Sequence, residues 1–226
     1  MMTHPSREHD QPVTSADTFE QITEDILAEL ARQDLLREEA LTLSRRIIRS
    51  AALTIRSTHR AEFAEAAGIL GSARQDLARL EEIAQACPLF TAIGYVSDAQ
   101  KEYAEACITY ALIHGDPLPR PTDLHVPVAP YLNALGETAG ELRRSILDAL
   151  RQDDLSPCEA RLGVMQQIYE FLATVDYPDA LTGGLRRTTD SLRRILENTR
   201  ADLTTARRQQ TLQEALERLD ERLPVS

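Results

Sequence analysis

Four glutamates in two short stretches carry the residue types that could do chemistry. Glu102 and Glu105 are three positions apart, and Glu137 and Glu141 are four positions apart. At about 100° per residue, either spacing places both carboxylates on one face of an α-helix. Carboxylates on a face with small apolar neighbours need a cation, a proton or a hydrogen-bond donor. Two such helices in contact could therefore bind a divalent metal ion.

The composition limits how nucleic acid or a membrane could interact with this chain. It has 226 residues and a formal net charge of −11, so its surface offers no general attraction to a polyanion. Nucleic acid would have to bind through a local arginine cluster or through metal ions. The sequence contains no signal-peptide pattern and no apolar run long enough to span a bilayer. Its cysteines are three, an odd number. We expect a cytoplasmic protein without a membrane partner.

Arginines are concentrated in two places along the chain. The second half of the first predicted helix contains a basic run that includes His59, and two arginines follow Glu141 closely. Such a run is either a solvated face paired with acidic neighbours or a phosphate-binding surface. The candidate nucleic-acid-binding residues are Arg45, Arg56, Arg60, Arg143 and Arg144.

Helical periodicity runs through nearly the whole chain. It predicts an all-α fold, an antiparallel bundle of six to seven helices with a long N-terminal helix. Residues 1–16 are predicted to be a disordered tail and residues 17–226 a single helical domain. The first helix should begin at Asp17 or Thr18 and meets no Pro or Gly before Gly68. Ser72 is the predicted cap of the second helix.

The remaining helices are bounded by proline and glycine. Pro88 is predicted to open the third helix, which carries the first acidic pair, and the fourth, with the second pair, begins near Pro130. A capping-box pattern starts the fifth helix at Ser156, and Cys158 beside it is a weaker candidate for a reactive thiol. The pair Gly183 and Gly184 should bend or split the last helical region, whose polar end would fray or pack on a partner chain.

Four segments, taken in order, resemble the translin/TRAX family. Residues 98–106 (DAQKEYAEA) are similar to its DAxQEYxEA signature, and residues 131–144 are similar to YLxGLxDLxGELRR. Residues 184–197 resemble its LRRKxDxxRxxLE run, and residues 43–45 also match. Order and spacing agree from about residue 20 to residue 203. The resemblance is closer to TRAX-type members, which bear the acidic site.

This resemblance implies an antiparallel helical bundle that assembles into a closed homo-oligomeric shell, in some cases with a related second subunit. It implies binding of single-stranded RNA or DNA and, for TRAX-type members, magnesium-dependent endoribonuclease activity inside the shell. The catalytic and metal-binding roles carry over onto Glu102, Glu105, Glu137 and Glu141. Glu137 stands where the nuclease members have Asp, and Ala134 replaces a Gly.

A carboxylate cluster of this kind could hydrolyse a phosphodiester. Two carboxylates about 4 Å apart repel by about 4 kcal/mol at an effective dielectric near 20. Mg²⁺, or Mn²⁺ in its place, removes that conflict and retains water molecules, one of which can attack phosphorus. One glutamate would act as the base. Asp98, one turn before Glu102, is either an outer ligand or a helix cap.

Other interpretations of the same residues remain open. The acids could form structural salt bridges with arginine. The fold could bind nucleic acid without catalysis, which the Glu137 difference favours, or serve as a helical scaffold without a ligand. A ferritin-like di-metal bundle would require Glu-x-x-His pairs, whereas Glu102 is followed by Glu105 and Glu141 by Arg144.

Overall fold

The computed structural model describes residues 15–87, 90 and 94–220, with side chains from Thr18 onward. This part of the chain contains eight α-helices and no strand, so the predicted all-α fold with a long N-terminal helix is confirmed. Residues 1–14 of the predicted tail lie outside the described residues. Pro88, the predicted start of the third helix, also lies outside them. The helices are α1 Ser15–His59, α2 Phe63–Ala86, α3 Gly94–His114, α4 Pro121–Leu124, α5 Val128–Leu150, α6 Cys158–Ala173, α7 Asp179–Thr182 and α8 Leu185–Asp220.

The break between α1 and α2 falls at Ala61, which has a φ of 58°. The Glu62 amide donates to the Ser57 carbonyl at 2.9 Å and the Ala61 amide to the Thr58 carbonyl at 3.0 Å. This pair of bonds is the Schellman motif, which usually places glycine at the left-handed position. The predicted run to Gly68 is therefore wrong, because alanine adopts a conformation that the sequence does not signal.

The predicted cap of the second helix is also wrong. Ser72 lies inside α2, where its hydroxyl donates to the Gly68 carbonyl at 3.3 Å. The helix begins nine residues earlier, at Phe63. Neither Gly68 nor Gly71 interrupts it, because tertiary packing against α1 and α3 outweighs the modest cost of glycine in a helix.

Parallel packing of α3 and α5 brings the two acidic pairs side by side. Lys101 on α3 pairs with Glu137 on α5, and Glu105, one turn later, lies close enough to Glu141 to feel its charge. The two helices therefore run in the same direction. The connection at residues 115–127, which includes α4, makes this possible by returning along the bundle before α5 begins.

A close approach fixes the start of α8 against α5. A Cβ at Gly136 would lie 2.5 Å from Thr188 Cγ2, so only glycine fits there without a shift. Thr188 Oγ1 donates to Asn133 Oδ1 at 2.7 Å, and the Asn133 amide donates to the carbonyl of Thr182 at 2.8 Å. The backbone is left-handed at Gly183 and separates α7 from α8, as predicted.

The start of α6 differs in detail from the prediction. Pro157 is the N-cap and no side chain caps the helix; Ser156 instead donates its hydroxyl to Asp154 Oδ1 at 2.6 Å. The capping box is therefore wrong. Cys158 is fully buried, and burial raises the pKa of its thiol. The reactive-thiol alternative is wrong for that reason.

Buried apolar residues from all six long helices form one core. The first half of α1 and the last turns of α8 extend beyond it. The first half of α1 exposes its predicted apolar face, with Phe19 71% exposed, and the last turns of α8 expose Leu212, Leu216 and Leu219. No described helix contains an apolar stretch long enough to cross a membrane.

We expect Ala61→Gly to stabilise the protein by about 1 kcal/mol. Relief of the left-handed strain, about 1–2 kcal/mol, exceeds the entropy that glycine adds to the unfolded chain. Ala52→Gly, at an exposed interior position of α1, is the matched control and should cost about 1 kcal/mol. Urea unfolding of both variants measures the two changes in the free energy of unfolding. If both variants were destabilised, the left-handed conformation assigned to Ala61 would be contradicted.

Candidate metal centre

Three of the four predicted glutamates converge where α3 packs against α5. Glu102, Glu105 and Glu137 each offer one carboxylate oxygen within 4.8 Å of the other two. We call these three residues the acidic cluster. Glu105 is buried at 8% exposure, whereas Glu102 and Glu137 are partly exposed. The cluster therefore has a buried floor and a mouth that is open to solvent.

Glu105 carries the electrostatic strain of the acidic cluster. Burial, followed by the charges of Glu102, Glu137 and Glu141, raises the pKa of Glu105 to about 8, against a smaller lowering by Lys101. No described residue donates a hydrogen bond to its carboxyl group. Near neutral pH this group therefore holds a proton that a metal ion would replace.

Lys101 lies at the mouth of the acidic cluster. Its Nζ is 2.7 and 2.9 Å from the two carboxylate oxygens of Glu137 and 3.4 Å from Glu102 Oε1. These contacts raise the pKa of the Lys101 ammonium even though its partial burial, the largest single effect, lowers it. The ammonium therefore supplies one positive charge to the two exposed members of the cluster.

Glu141 lies one turn beyond Glu137, outside the acidic cluster. Its Oε2 is 2.6 Å from His59 Nε2 and 4.0 Å from Arg144 Nη1. The hydrogen bond to His59 is the main reason why the pKa of Glu141 is lowered, in spite of its partial burial. Glu141 is therefore an ionised carboxylate beside a protonated Glu105.

Two of the five candidate arginines are engaged within the chain. Arg143 donates to Thr199 Oγ1 at 3.0 Å and pairs with Asp202 at 2.8 Å, both on α8. Arg60 donates to Glu62 Oε2 at 2.7 Å. Arg143 thus points from α5 towards α8, and its charge is already compensated.

The other three candidates are exposed. Arg45 and Arg56 make no ion pair with any described residue, and Arg144 is 56% exposed with only its long contact to Glu141. At about 100° per residue, Arg45, Arg49 and Arg56 fall within about 40° of arc on α1. We call these three the basic stripe. It borders the side of α1 from which His59 reaches Glu141.

A groove of about 310 Å³ opens beside the acidic cluster, between α3, α5 and the start of α8. Lys101 and Glu137, itself a member of the cluster, both line this groove. Arg187 is exposed on its opposite wall and makes no ion pair with the residues described here. Asp98 is exposed at its edge; it lies in the second turn of α3, so it is not that helix's cap. The groove thus has a cation on two sides.

Two residues of this centre were missed by sequence reasoning. His59 had been grouped with the surface arginine run, yet its side chain is only 5% exposed and contacts Glu141 across 82 positions of sequence. Lys101 gave one usable signal, because it is the only lysine in a chain whose other basic side chains are arginines and histidines.

The pKa of Glu105 predicts a pH dependence of stability. A carboxyl whose pKa is raised in the folded state stabilises fully below its unfolded pKa and loses that contribution as pH rises through its folded pKa, here about 8. With EDTA present, the free energy of unfolding should fall between pH 5 and 8, by up to about 1.4 kcal/mol per pH unit. Urea titrations across this range measure it.

Glu105→Gln should flatten that slope, because the amide does not titrate. Glu170→Gln, at an exposed position on α6, is the matched control and should keep the wild-type slope. Equal pH dependence in wild type and Glu105→Gln would contradict the strained state of this carboxyl.

Known proteins share both sequence and fold with this chain. No protein-family model matches it. It is 34% identical over 192 residues to uncharacterized protein MJ0175 of Methanocaldococcus jannaschii, covering 84% of this chain and 85% of that protein. The similarity thus extends across most of both chains.

Solved structures of C3PO proteins give the family. AfC3PO in complex with duplex RNA is 30% identical with a TM-score of 0.72, covering 82% of this chain and 96% of that one. AfC3PO itself is 29% identical with a TM-score of 0.76 and the same coverage. Apo-NeC3PO, at 19% identity over 81% of this chain and 96% of that one, shares the fold with a TM-score of 0.74. The chain belongs to the translin/C3PO family.

Proposed function

We propose that this protein binds single-stranded RNA or DNA and cleaves RNA with a magnesium ion held by the acidic cluster, as a TRAX-type member would. One observation carries the proposal: three carboxylates from two helices converge within 4.8 Å, and the buried one, Glu105, has no hydrogen-bond donor among the described residues. A purely structural role would pair such a group with an arginine.

The donor set fits Mg²⁺. All three members offer carboxylate oxygens, the ligand type that hard divalent cations prefer, and the exposed mouth leaves room for the waters that Mg²⁺ keeps. Glu102, Glu105 and Glu137 would hold the ion. A divalent charge would also remove the repulsion that keeps Glu105 protonated. Mn²⁺ has the same ligand preference and is expected to substitute.

The chain's own groups supply the rest of the chemistry. A bound magnesium ion would stabilise the charge that develops on the phosphoryl oxygens and make a water more acidic. Glu141 is held ionised by His59 and Arg144, so it is the carboxylate suited to accept the proton of the attacking water. His59 fixes the orientation of Glu141, and Arg144 is free enough to contact the scissile phosphate.

Nucleic-acid binding is supported by similarity and by charge. AfC3PO, 30% identical to this chain, has been solved with duplex RNA. The unpaired guanidinium groups of the basic stripe lie beside the helix face that leads to Glu141 and could follow a phosphate backbone. Single strands, which expose their backbone flexibly to an internal site, are the substrate that the translin/TRAX resemblance implies.

Assembly into a closed homo-oligomer is supported by the uncovered apolar faces. The outer half of α1 exposes Phe19, Ile22, Ile26, Leu27 and Leu30, and no described residue of this chain covers them. Contiguous apolar surface of this extent usually marks a protein interface. A second copy, or a related second subunit, would cover it.

A binder without catalysis is the second candidate, and a specific contact favours it. The bidentate pair of Lys101 with Glu137 already compensates one ligand of the proposed site. If that pair persisted, a metal ion would lose Glu137 as a ligand and the protein would bind nucleic acid without cutting it.

Cleavage of labelled single-stranded RNA tests the enzymatic proposal. Wild type should cut in Mg²⁺ and not in EDTA. Glu102→Gln and Glu105→Gln should each lower the rate at least about 100-fold, because each removes a charged ligand from the transition state's cation site. Gel separation of the products gives the rates.

Glu170→Gln, the same substitution on an exposed face of α6, should cut like wild type. Binding of RNA by wild type without cleavage would contradict the nuclease proposal and support the second candidate. Cleavage retained in both cluster variants would mean that a different site, or a contaminant, does the cutting.

Light scattering tests the assembly. We expect wild type to have several times the mass of one chain, and Ile26→Glu with Leu30→Glu to lower it, because two charges would be buried in the proposed interface. Ala28→Glu, exposed about 160° around α1 from both Ile26 and Leu30, is the control and should leave the mass unchanged. A monomeric wild type would contradict the shell.

A further inference from the structure

Lys101 occupies the position where the acidic cluster needs a cation. Its ammonium contacts both oxygens of Glu137, at 2.7 and 2.9 Å, and lies 3.4 Å from Glu102. These are the two exposed members of the cluster, so the ammonium stands between the buried carboxyl and solvent. The side chain is only 22% exposed, which makes this a packed arrangement and not a loose surface pair.

We infer that Lys101 is a tethered cation that a divalent ion must displace, and that the displaced ammonium then binds a phosphate of the nucleic acid in the adjoining groove. The inference rests on the proposed metal site and names how that site is regulated. It makes Lys101 a substrate-binding residue that also sets the affinity for the metal ion.

Displacement follows from charge and distance. A divalent ion ligated by Glu102 and Glu137 would come close to an ammonium that touches the same oxygens, and like charges repel strongly in a partly buried site. The two cations therefore compete for one place. Because Lys101 is covalently tethered, its local concentration does not fall on dilution, and it lowers the apparent affinity for the metal ion.

The groove gives the displaced ammonium a destination. Lys101 lines it already, together with Arg187, Thr188 and Gly184. Arg187 faces the same space with no ion pair to a described residue. A lysine and an arginine across a polar groove of about 310 Å³ suit a phosphate group. Asp98, exposed on the same wall, is the competing acceptor.

The metal ion competes with Lys101 at the acidic cluster, and the phosphate binds Lys101 in the groove. Metal ion and nucleic acid therefore bind cooperatively. A metal ion that frees Lys101 strengthens phosphate binding, and a phosphate that captures Lys101 empties the place for the metal ion. By linkage, each ligand must raise the affinity for the other by the same factor. Free protein would then hold metal weakly and acquire it together with substrate.

Metal binding without nucleic acid is the first test. Titration of Mn²⁺, followed by the electron paramagnetic resonance signal of the free ion, gives the affinity. Lys101→Met should bind Mn²⁺ about tenfold or more tightly than wild type, as expected if the lysine leaves the site only about a tenth of the time. Lys101→Arg keeps the charge and should bind like wild type.

Arg193→Met is the matched control. Arg193 forms an exposed pair with Glu197 on α8, so its loss changes the net charge by the same amount far from the acidic cluster. It should leave the affinity for Mn²⁺ unchanged. An equal gain in this variant would assign the effect to overall charge and overturn the inference.

Binding of an uncleavable strand is the second test. A 2′-O-methyl oligoribonucleotide should bind wild type several-fold more tightly with saturating Mn²⁺ than with EDTA. In Lys101→Met, most of this Mn²⁺-dependent gain in oligoribonucleotide affinity should be lost. The same loss is expected in Arg187→Met. An undiminished gain in Lys101→Met would mean that the gain does not depend on the Lys101 ammonium, and the inference would fall.

The outcomes separate this inference from the proposed function. Mn²⁺ binding that is equal in wild type and Lys101→Met overturns the role of Lys101 and leaves the metal site standing. Binding by Lys101→Met alone supports the inference, because the free natural chain is expected to hold the metal ion weakly and to acquire it together with substrate. Absence of binding in both, with normal helical circular dichroism, overturns both.

Discussion

Repulsion among carboxylates at the contact between α3 and α5 is the constraint on which this centre depends. Glu105 is buried with other acids around it and no donor among the described residues, so it holds a proton. Its neighbours are compensated from two sides, by Lys101 at Glu137 and by His59 at Glu141. The bundle holds these groups together because apolar packing across six helices far outweighs the local cost. A bound cation would relieve this repulsion among the carboxylates.

Two departures from the family signature meet in one contact. This chain has Lys101 where the signature has Gln, and Glu137 where it has Asp. The longer Glu137 side chain accepts both short contacts from the lysine ammonium. Considered alone, the extra methylene at Glu137 is a disturbance of ligand geometry. Considered with Lys101, it is half of an ion pair, and the two differences have one physical explanation.

Features that depend on neighbouring residues were predictable from the sequence, whereas features that depend on contacts between distant residues were not. The helices, and the fact that each acidic pair lies on one face of its helix, were predictable because spacing within one helix is a local property. The break at Ala61 was not, since an alanine in a left-handed conformation leaves no mark in composition. The bond from Ser156 to Asp154, which replaces the predicted capping box, was missed for a related reason: it depends on the path of the chain into α6.

The sequence by itself determined an all-α chain, its family resemblance and which carboxylates share a helical face. Only the tertiary structure decided that Glu102 and Glu105 meet Glu137 while Glu141 turns to His59, a residue 82 positions away. It also decided that Arg143 faces α8 and that Lys101 stands at the mouth of the cluster. The physical reason is that periodicity fixes directions around one helix axis, whereas the pairing of charges depends on how separate helices are aligned along one another.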